Sequence, residues 1–275
     1  MTSAAAHIGL AGLACAPLIV AVSAASACLS GPDEPPSDAP AQGPGTVRFT
    51  GNDHFSAATL RAAIEANTFF EAGGALDQER LDRGLLVLSA YYWDRGFANV
   101  VIGTPQVARP STITIPIEEG PVFRMGTLEV TGDFLGTAAD QLAAIGTRSG
   151  DLFSRTAIAN DRQAILLAHQ DQGYAFATVL PLVKVDVDER RIDLTLEVAR
   201  GPLSAFERVE VRGDTTRSQD EISRALRIAP GDRFSQTRVD QASHRLSALG
   251  LRDVVVATRS GSAPDRVVVQ IDVGD

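Results

Sequence analysis

The sequence predicts an α+β protein that consists of three tandem units, each with the element order β-α-α-β-β. The first observation is internal repetition, since glycines that end a short apolar segment recur 81 residues apart, at Gly51, Gly132 and Gly213. The second is the alternation of apolar and polar residues at the end of each unit, typical of a strand with one buried face. Repetition at a fixed period indicates an array of similar domains. The units run over residues 46–121, 122–203 and 204–275.

A short strand opens each unit and stops at the repeated glycine, which can adopt the positive φ that a turn requires. A first helix follows, because each unit then has a good N-cap residue, Ser56, Thr137 or Ser218. In the third unit Glu221 stands three residues after Ser218, which is the spacing of a capping box.

A second helix is predicted to begin after Asp77, Ser154 and Ser235. In the first unit its apolar side chains recur at helical spacing, at Leu81, Leu85, Leu88 and Tyr92. The helix then ends at a glycine, as helix C-termini favour, at Gly96, Gly173 or Gly250.

Two strands close each unit. The last one alternates most clearly, with apolar residues at Ile113, Ile115 and Ile117, at Ile192, Leu194, Leu196 and Val198, and at Val267, Val269, Ile271 and Val273. Such a pattern buries one face and leaves the other in water. Two helices covering one face of a three-stranded mixed sheet would satisfy it in every unit.

The net charge of −9 argues against a nucleic-acid partner, because phosphate binding needs a basic surface. Both cysteines, Cys15 and Cys28, precede the three units. The units therefore have no cysteine with which to form a disulfide or ligate a metal.

The first 27 residues read as a signal peptide, since the apolar run at 8–22 is short for a membrane span and suits a secretory signal. Signal peptidase could cut after the small residues Ala25 and Ala27. Alternatively, Ala-Ser-Ala-Cys resembles a lipobox in which Cys28 becomes lipidated. An uncleaved anchor is the third reading. Residues 28–45 are proline-rich and form an extended linker.

The sequence contains no recognisable catalytic or metal-binding constellation. Its histidines are scattered, and no Walker loop, nucleophile elbow or zinc motif occurs. We expect His169 and His244 to lie at the surface or in helix packing, and Tyr92 and Trp93 to pack in the core or between units. The acidic residues around 186–193 are interrupted by Arg190 and Arg191, which is typical of a solvated turn. We therefore expect no enzyme activity and no cofactor.

Several motifs recur in register and carry a resemblance to a known family. They are the glycine after the first strand, Gly-Asp-x-Phe at 150–153 and 231–234, Gly-(Phe/Tyr)-Ala at 96–98 and 173–175, and Gly-Pro at 120–121 and 201–202. Together they resemble POTRA domains, the repeats that precede the barrel in outer-membrane assembly proteins of the BamA and TamA type. The resemblance covers residues 46–275. The first unit departs from it with Gly74-Ala75-Leu76, and the third with Gly250-Leu251.

The resemblance implies that the strand after the second helix lies at the sheet edge, with the last strand in the centre. We expect the edges at 99–107, 176–185 and 253–259, where an extended chain could add a strand. The candidate partner-binding residues are Val100, Val101, Thr178, Val179, Val254, Val255 and Val256. Pro105 and Pro181 suit edge strands, whereas Pro116 fits a central strand poorly. The third edge has no such proline, so we expect it to be unguarded.

These features predict a non-catalytic periplasmic scaffold, associated with the outer membrane through a lipid or a partner. It would bind unfolded outer-membrane protein segments or a transmembrane β-barrel partner. Family members usually continue into a barrel, whereas this sequence stops at Asp275, as a fragment or as a POTRA-only protein would. Two alternatives remain: a cell-division or peptidoglycan-associated docking protein, and an enzyme or ligand-binding protein with a site between units.

Overall fold

The computed structural model describes residues 45–71, 75–108, 112–213 and 217–274. The predicted signal peptide, nearly all of the linker and the lipidation candidate Cys28 lie outside these residues. Within them the chain forms three α+β units with the predicted order of elements, so the predicted fold class is confirmed. No helix among the described residues is both long enough and apolar enough to cross a membrane.

The first unit comprises β1 (Thr46–Thr50), α1 (Ala57–Ala63), a 3₁₀ turn (Ala66–Thr68), α2 (Gln78–Trp93), β2 (Val101–Ile102), β3 (Gln106–Ala108) and β4 (Thr112–Glu118). The second comprises β5 (Arg124–Asp133), α3 (Ala138–Ala144), α4 (Arg155–Asp171), β6 (Thr178–Asp186) and β7 (Arg191–Ala199). The third comprises β8 (Ala205–Arg212), α5 (Gln219–Leu226), α6 (Gln236–Ala248), β9 (Arg252–Ser260) and β10 (Arg266–Gly274).

The last strand occupies the centre of every sheet, as the resemblance implied. The strand orders are β1-β4-β2, β5-β7-β6 and β8-β10-β9, and β3 also pairs with β4. The first strand of each unit runs parallel to the central strand, and the strand after the second helix runs antiparallel to it. Each sheet is therefore mixed and has two edges.

Each unit has its own hydrophobic core beneath its two helices. The alternating residues of the central strands are buried throughout, including Ile113, Leu194 and Val269. From the helices, Leu88 and Tyr92 complete the first core. The buried face of the central strand and the apolar face of α2 thus pack against each other in one core, as the sequence predicts.

The repeated glycines end the first strand of each unit for a steric reason. Gly51, Gly132 and Gly213 have φ of +76°, +91° and +96°. A Cβ at any of them would overlap the backbone carbonyl oxygen of the adjacent central strand, at Ile117, Val198 or Val273. Any side chain would collide with the sheet, which explains why glycine recurs at this position in every unit.

The predicted caps open the helices. The hydroxyl of Ser218 accepts the N–H of Glu221, whose carboxylate returns a bond to the Ser218 N–H and so completes the predicted capping box. Thr137 forms a second capping box with Asp140. Each box satisfies backbone donors that a helix start leaves unpaired.

Pro116 does lie inside the central strand β4, and the edge strand accommodates it. Three residues of the edge, Gly103 to Pro105, stand opposite only Ile115 and Pro116, so the ladder is bulged there and divides into β2 and β3. The Pro116 carbonyl accepts the Gly103 N–H at 2.8 Å. Since the carbonyl and the nitrogen of a strand residue point to the same side, the Pro116 nitrogen, which has no hydrogen, also faces the edge strand. The proline therefore lacks a donor where the ladder is already broken.

Candidate functional site: the sheet edges

The structure places most, but not all, of the predicted binding residues on the edge strands. Val101 lies in β2 and is exposed, whereas Val100 precedes β2, is half-buried and donates its N–H to Phe97 in a turn. The first edge therefore begins later than predicted. Thr178 opens β6 and is exposed, but the Val179 side chain is buried in the core.

The edge of the first unit is a poor template for another strand. The bulge around Gly103 divides it into β2 and β3, which have only two and three residues. Val101 and Val107 are exposed on these pieces. A short, interrupted ladder presents few consecutive backbone groups to an incoming chain.

The edge of the third unit is guarded, contrary to the expectation from sequence. Two residues of β9, Asp253 and Val254, stand opposite the single residue Val273, which makes a β-bulge. Asp253 adopts a φ of +46° there. Bulges twist an edge away from further pairing. Val255 is exposed, whereas Val254 and Val256 are half-buried against the core.

The edge of the second unit is the longest uninterrupted apolar edge among the described residues. All nine residues of β6 pair with β7 in one continuous register. Four of its apolar side chains remain exposed: Leu180 at 56%, Leu182 at 45%, Val183 at 43% and Val185 at 39%. A long apolar edge of this kind is where a further strand pairs most readily.

The exposed side chains of β6 lie on both faces of the sheet. Leu180 and Leu182 pair with Glu197 and Thr195 on the face opposite the helices. Val183 and Val185 pair with buried residues of β7 on the helix side, yet they are exposed themselves. A partner strand would therefore meet apolar surface above and below its own plane.

Pro181 indicates which backbone groups of β6 are free. It pairs with Leu196 inside the continuous ladder, and a proline in such a strand is accommodated with its nitrogen on the solvent side. Alternate residues of a strand point the same way, so the N–H groups of Val179, Val183 and Val185 also face outward. The free side thus keeps regular donors and acceptors on either side of the proline.

This edge was underestimated from sequence, although a signal was present. Residues 179–183 form a continuous apolar run, Val-Leu-Pro-Leu-Val, rather than an alternating one. Continuous runs usually indicate strands buried on both faces. On a strand assigned to the edge, the same run indicates apolar surface that remains exposed.

The buried carboxylate of Glu119, in the first unit, has structural partners. Glu119 accepts hydrogen bonds from the Tyr92 hydroxyl at 2.8 Å and from the backbone N–H of His54, whose ring also contacts it. Burial raises the pKa of Tyr92 far above its usual value, and the hydrogen bond to Glu119 adds to the effect. Across the described ranges, no group of three His, Cys, Asp or Glu residues could hold a metal ion.

The other singled-out residues also take packing roles. His169 is fully buried in α4, and its ring bonds the Ile165 carbonyl at 2.7 Å and the Leu135 N–H at 3.1 Å. Tyr92 lies in the first core, and Trp93 packs against the core of the second unit. The expectation of core or inter-unit packing is confirmed for Tyr92 and Trp93, and His169 takes the helix-packing role expected of it.

Comparison with known proteins agrees with this architecture. The family model described as POTRA, surface antigen variable number repeat, matches residues 45–120, 125–201 and 204–274. The chain is 23% identical to the outer membrane protein assembly factor BamA of Nitratidesulfovibrio vulgaris over 187 residues, which cover 66% of this chain and 24% of that protein. It is 22% identical to a putative outer membrane protein assembly factor of Treponema pallidum over 238 residues, or 82% and 28%.

A solved structure supports the same fold. The crystal structure of POTRA domains 3–5 of Haemophilus influenzae BamA superposes with a TM-score of 0.71 at 21% identity, covering 84% of this chain and 95% of that one. The chain thus spans about a quarter of the length of the curated relatives named above. Because the family model matches well over half of its residues, in three consecutive copies, the chain belongs to the POTRA family.

Proposed function

We propose that this chain is a non-catalytic scaffold of the bacterial periplasm, associated with the outer membrane. In this proposal its sheet edges bind extended segments of outer-membrane protein precursors, or a strand of a barrel partner, by β-augmentation. The observation that carries the proposal is the β6 edge, which is continuous over nine residues and exposes apolar side chains on both faces. The names of the similar proteins, outer membrane protein assembly factors, supply the class of client.

The chemistry of an edge suits clients of varied sequence. Backbone hydrogen bonds to a free edge do not depend on the side chains of the incoming strand. Strands of transmembrane barrels alternate apolar and polar residues. Such a strand laid beside β6 would place alternate side chains over Leu180 and Leu182 on one face and over Val183 and Val185 on the other.

The three edges differ in how long a backbone template they would offer to an incoming strand. Val101 at the first edge and Val255 at the third remain candidate contacts, because both are exposed on an edge strand. Their ladders are interrupted by bulges, so we rank them below β6. A client that contacts more than one unit would find its longest backbone template in the second.

In this proposal the N-terminal residues determine where in the cell the three units lie. A signal peptide at residues 1–27 would direct export, and the linker at 28–45 would connect a lipidated Cys28 to the units. Membrane association would then come from the lipid or from a barrel partner. Neither a cofactor nor nucleic acid is required, and the net charge of −9 is unfavourable for the latter.

A photo-crosslinking scan in the periplasm tests the proposal. A crosslinking amino acid would replace Leu182 at the second edge, Val101 at the first and Val255 at the third. Leu86 is the control, because it is 69% exposed and apolar but lies on helix α2. We expect adducts with outer-membrane protein precursors or a barrel protein to be strongest at Leu182. Equal adducts at Leu86, or none at Leu182, would contradict the proposal.

A further inference from the structure

One carboxylate forms hydrogen bonds across the junction between the first and second units. Asp94 is the C-cap of α2, and its side chain reaches the N-terminus of α4 in the next unit. One oxygen accepts the Ser154 hydroxyl at 2.8 Å and the Thr156 N–H at 2.9 Å. The other accepts the Thr156 hydroxyl at 2.7 Å. Both carboxylate oxygens are thus engaged by the neighbouring unit.

The junction between the second and third units repeats this arrangement atom for atom. Asp171 ends α4 and reaches the N-terminus of α6. Its first oxygen accepts the Ser235 hydroxyl at 2.8 Å and the Thr237 N–H at 2.8 Å. Its second oxygen accepts the Thr237 hydroxyl at 2.6 Å. We call this Asp-to-Ser-x-Thr contact the junction latch.

The electrostatics of the helices show that the latch acts between units. A carboxylate at a helix C-terminus is unfavourable for its own helix, where cations are preferred, and favourable at the N-terminus of another. Asp94 and Asp171 both occupy the unfavourable position in their own unit. Partial burial raises the pKa of each carboxyl, but the hydrogen bonds from the next unit outweigh it and hold the pKa below its usual value.

The fold itself does not require this acid. In the third unit the position that corresponds to Asp94 and Asp171 is Ala248. In the first unit the positions that correspond to Ser154 and Thr156 are Asp77 and Glu79, whose negative charges would repel such a carboxylate. Among the described residues, the aspartate and the Ser-x-Thr that donates to it thus occur together only where two units meet.

A backbone hydrogen bond between the two units lies beside each latch. The Gly96 carbonyl accepts the Phe123 N–H at 2.7 Å, and the Gly173 carbonyl accepts the Ser204 N–H at 2.8 Å. At the first junction the Arg155 guanidinium also stacks over the Trp93 ring at 4.1 Å. With a single contact, one unit could still rotate about that point relative to the next. A backbone hydrogen bond and a carboxylate contact at separate points restrict this rotation as well.

We infer that Asp94 and Asp171 lock neighbouring units at fixed angles, so that the three units move as one arm. The consequence is that the three sheet edges keep a constant spacing and orientation. This inference stands independently of which edge binds a client. It assigns to the two aspartates a positioning role that neither the core nor the edges require.

Distance measurements between spin labels test the inference directly. Spin labels are placed at the exposed residues Ala62, Ala144 and His244, one in each unit. The 62–144 distance measures the first junction, and the 144–244 distance measures the second. Cys15 and Cys28 are replaced by serine so that only these positions are labelled. We expect Asp94→Ala to broaden the 62–144 distance distribution and leave 144–244 unchanged, and Asp171→Ala to do the reverse.

The matched control is Asp140→Ala. Asp140 also accepts a backbone N–H and a hydroxyl at a helix N-terminus, but both come from Thr137 within its own unit. This variant should broaden neither distribution. If a latch variant fails to fold, Thr156→Val removes only one hydroxyl and should still broaden 62–144. Unchanged distributions in folded Asp94→Ala and Asp171→Ala, or equal broadening in Asp140→Ala, would overturn the inference.

Discussion

Replacing Val183 with proline would separate backbone pairing from side-chain contact at the β6 edge. The outward N–H of Val183 is available to an incoming strand and takes no part in the ladder with β7, by the same parity that accommodates Pro181. Val183→Pro should therefore leave the second unit folded while removing one donor from the docking edge. The proline ring would also occupy the space into which the partner carbonyl must approach.

The expected magnitude follows from one backbone hydrogen bond. Its net contribution is about 0.5–1.5 kcal/mol, and about 1.4 kcal/mol corresponds to a tenfold change in Kd. The loss of the donor alone should weaken binding by roughly 2- to 12-fold on these values, and the ring adds to it. The free energy of unfolding should change by less than about 1 kcal/mol, because no ladder bond is lost.

Fluorescence anisotropy with a labelled ten-residue peptide of alternating apolar and polar residues, as in barrel strands, measures the effect. Val183→Ala is the matched control, since it removes the exposed side chain and keeps the N–H. Leu182→Pro should instead destabilise the unit, because its nitrogen faces β7. The reasoning is refuted if folded Val183→Pro binds the peptide as tightly as wild type, or if Val183→Ala weakens binding more.

Substitution at Gly132 and titration of Tyr92, Asp94 and Asp171 should each have a measurable effect. Gly132→Ala should lower the free energy of unfolding by about 2 kcal/mol or more in urea titration, because its φ is +91° and a Cβ would overlap the Val198 carbonyl; an unchanged midpoint would contradict this. Because the pKa of Tyr92 is raised, the folded protein should ionise one phenol fewer than the unfolded protein above pH 10 at 295 nm, and its stability should fall as the pH rises in that range. The pKa of Asp94 and Asp171 is lowered, so their stabilisation is present above pH 3.8 and is lost as the pH falls through the folded value; spin-label distances across both junctions should broaden only in strong acid, and broadening near neutral pH would contradict this.

The repeat, the helices and the central strands could be read from sequence because each depends on local rules. A glycine beside a neighbouring carbonyl, as at Gly132, or a capping serine, as at Ser218, leaves a mark at one position. Alternation in β7 reflects burial on one face whatever the partner strands are. These signals add up over three copies, so the predicted architecture is correct in its order and its sheet topology.

The bulges and the junction latch could not be read in this way, because they depend on pairs of distant residues. The bulge at Asp253 exists only relative to Val273, and no local motif near Val254 indicates it. The latch joins residues 60 or more positions apart. The only local signal for the latch is an aspartate at the C-terminal end of α2 and of α4. A carboxylate is unfavourable there because of the helix dipole, which indicates that it has a partner elsewhere.

The bulges make the three edges of the array unequal, which the repeat alone would not do. Three identical units would present three equivalent edges, and a client could then pair with any of them. Here the ladder is bulged near Gly103 in the first unit and near Asp253 in the third, while β6 stays in register from Thr178 to Asp186. If the latches hold the units at fixed angles, the continuous edge always lies between two interrupted ones at a set distance. Pairing at β6 would then be favoured by the backbone, and the edges of the first and third units would be restricted to shorter contacts.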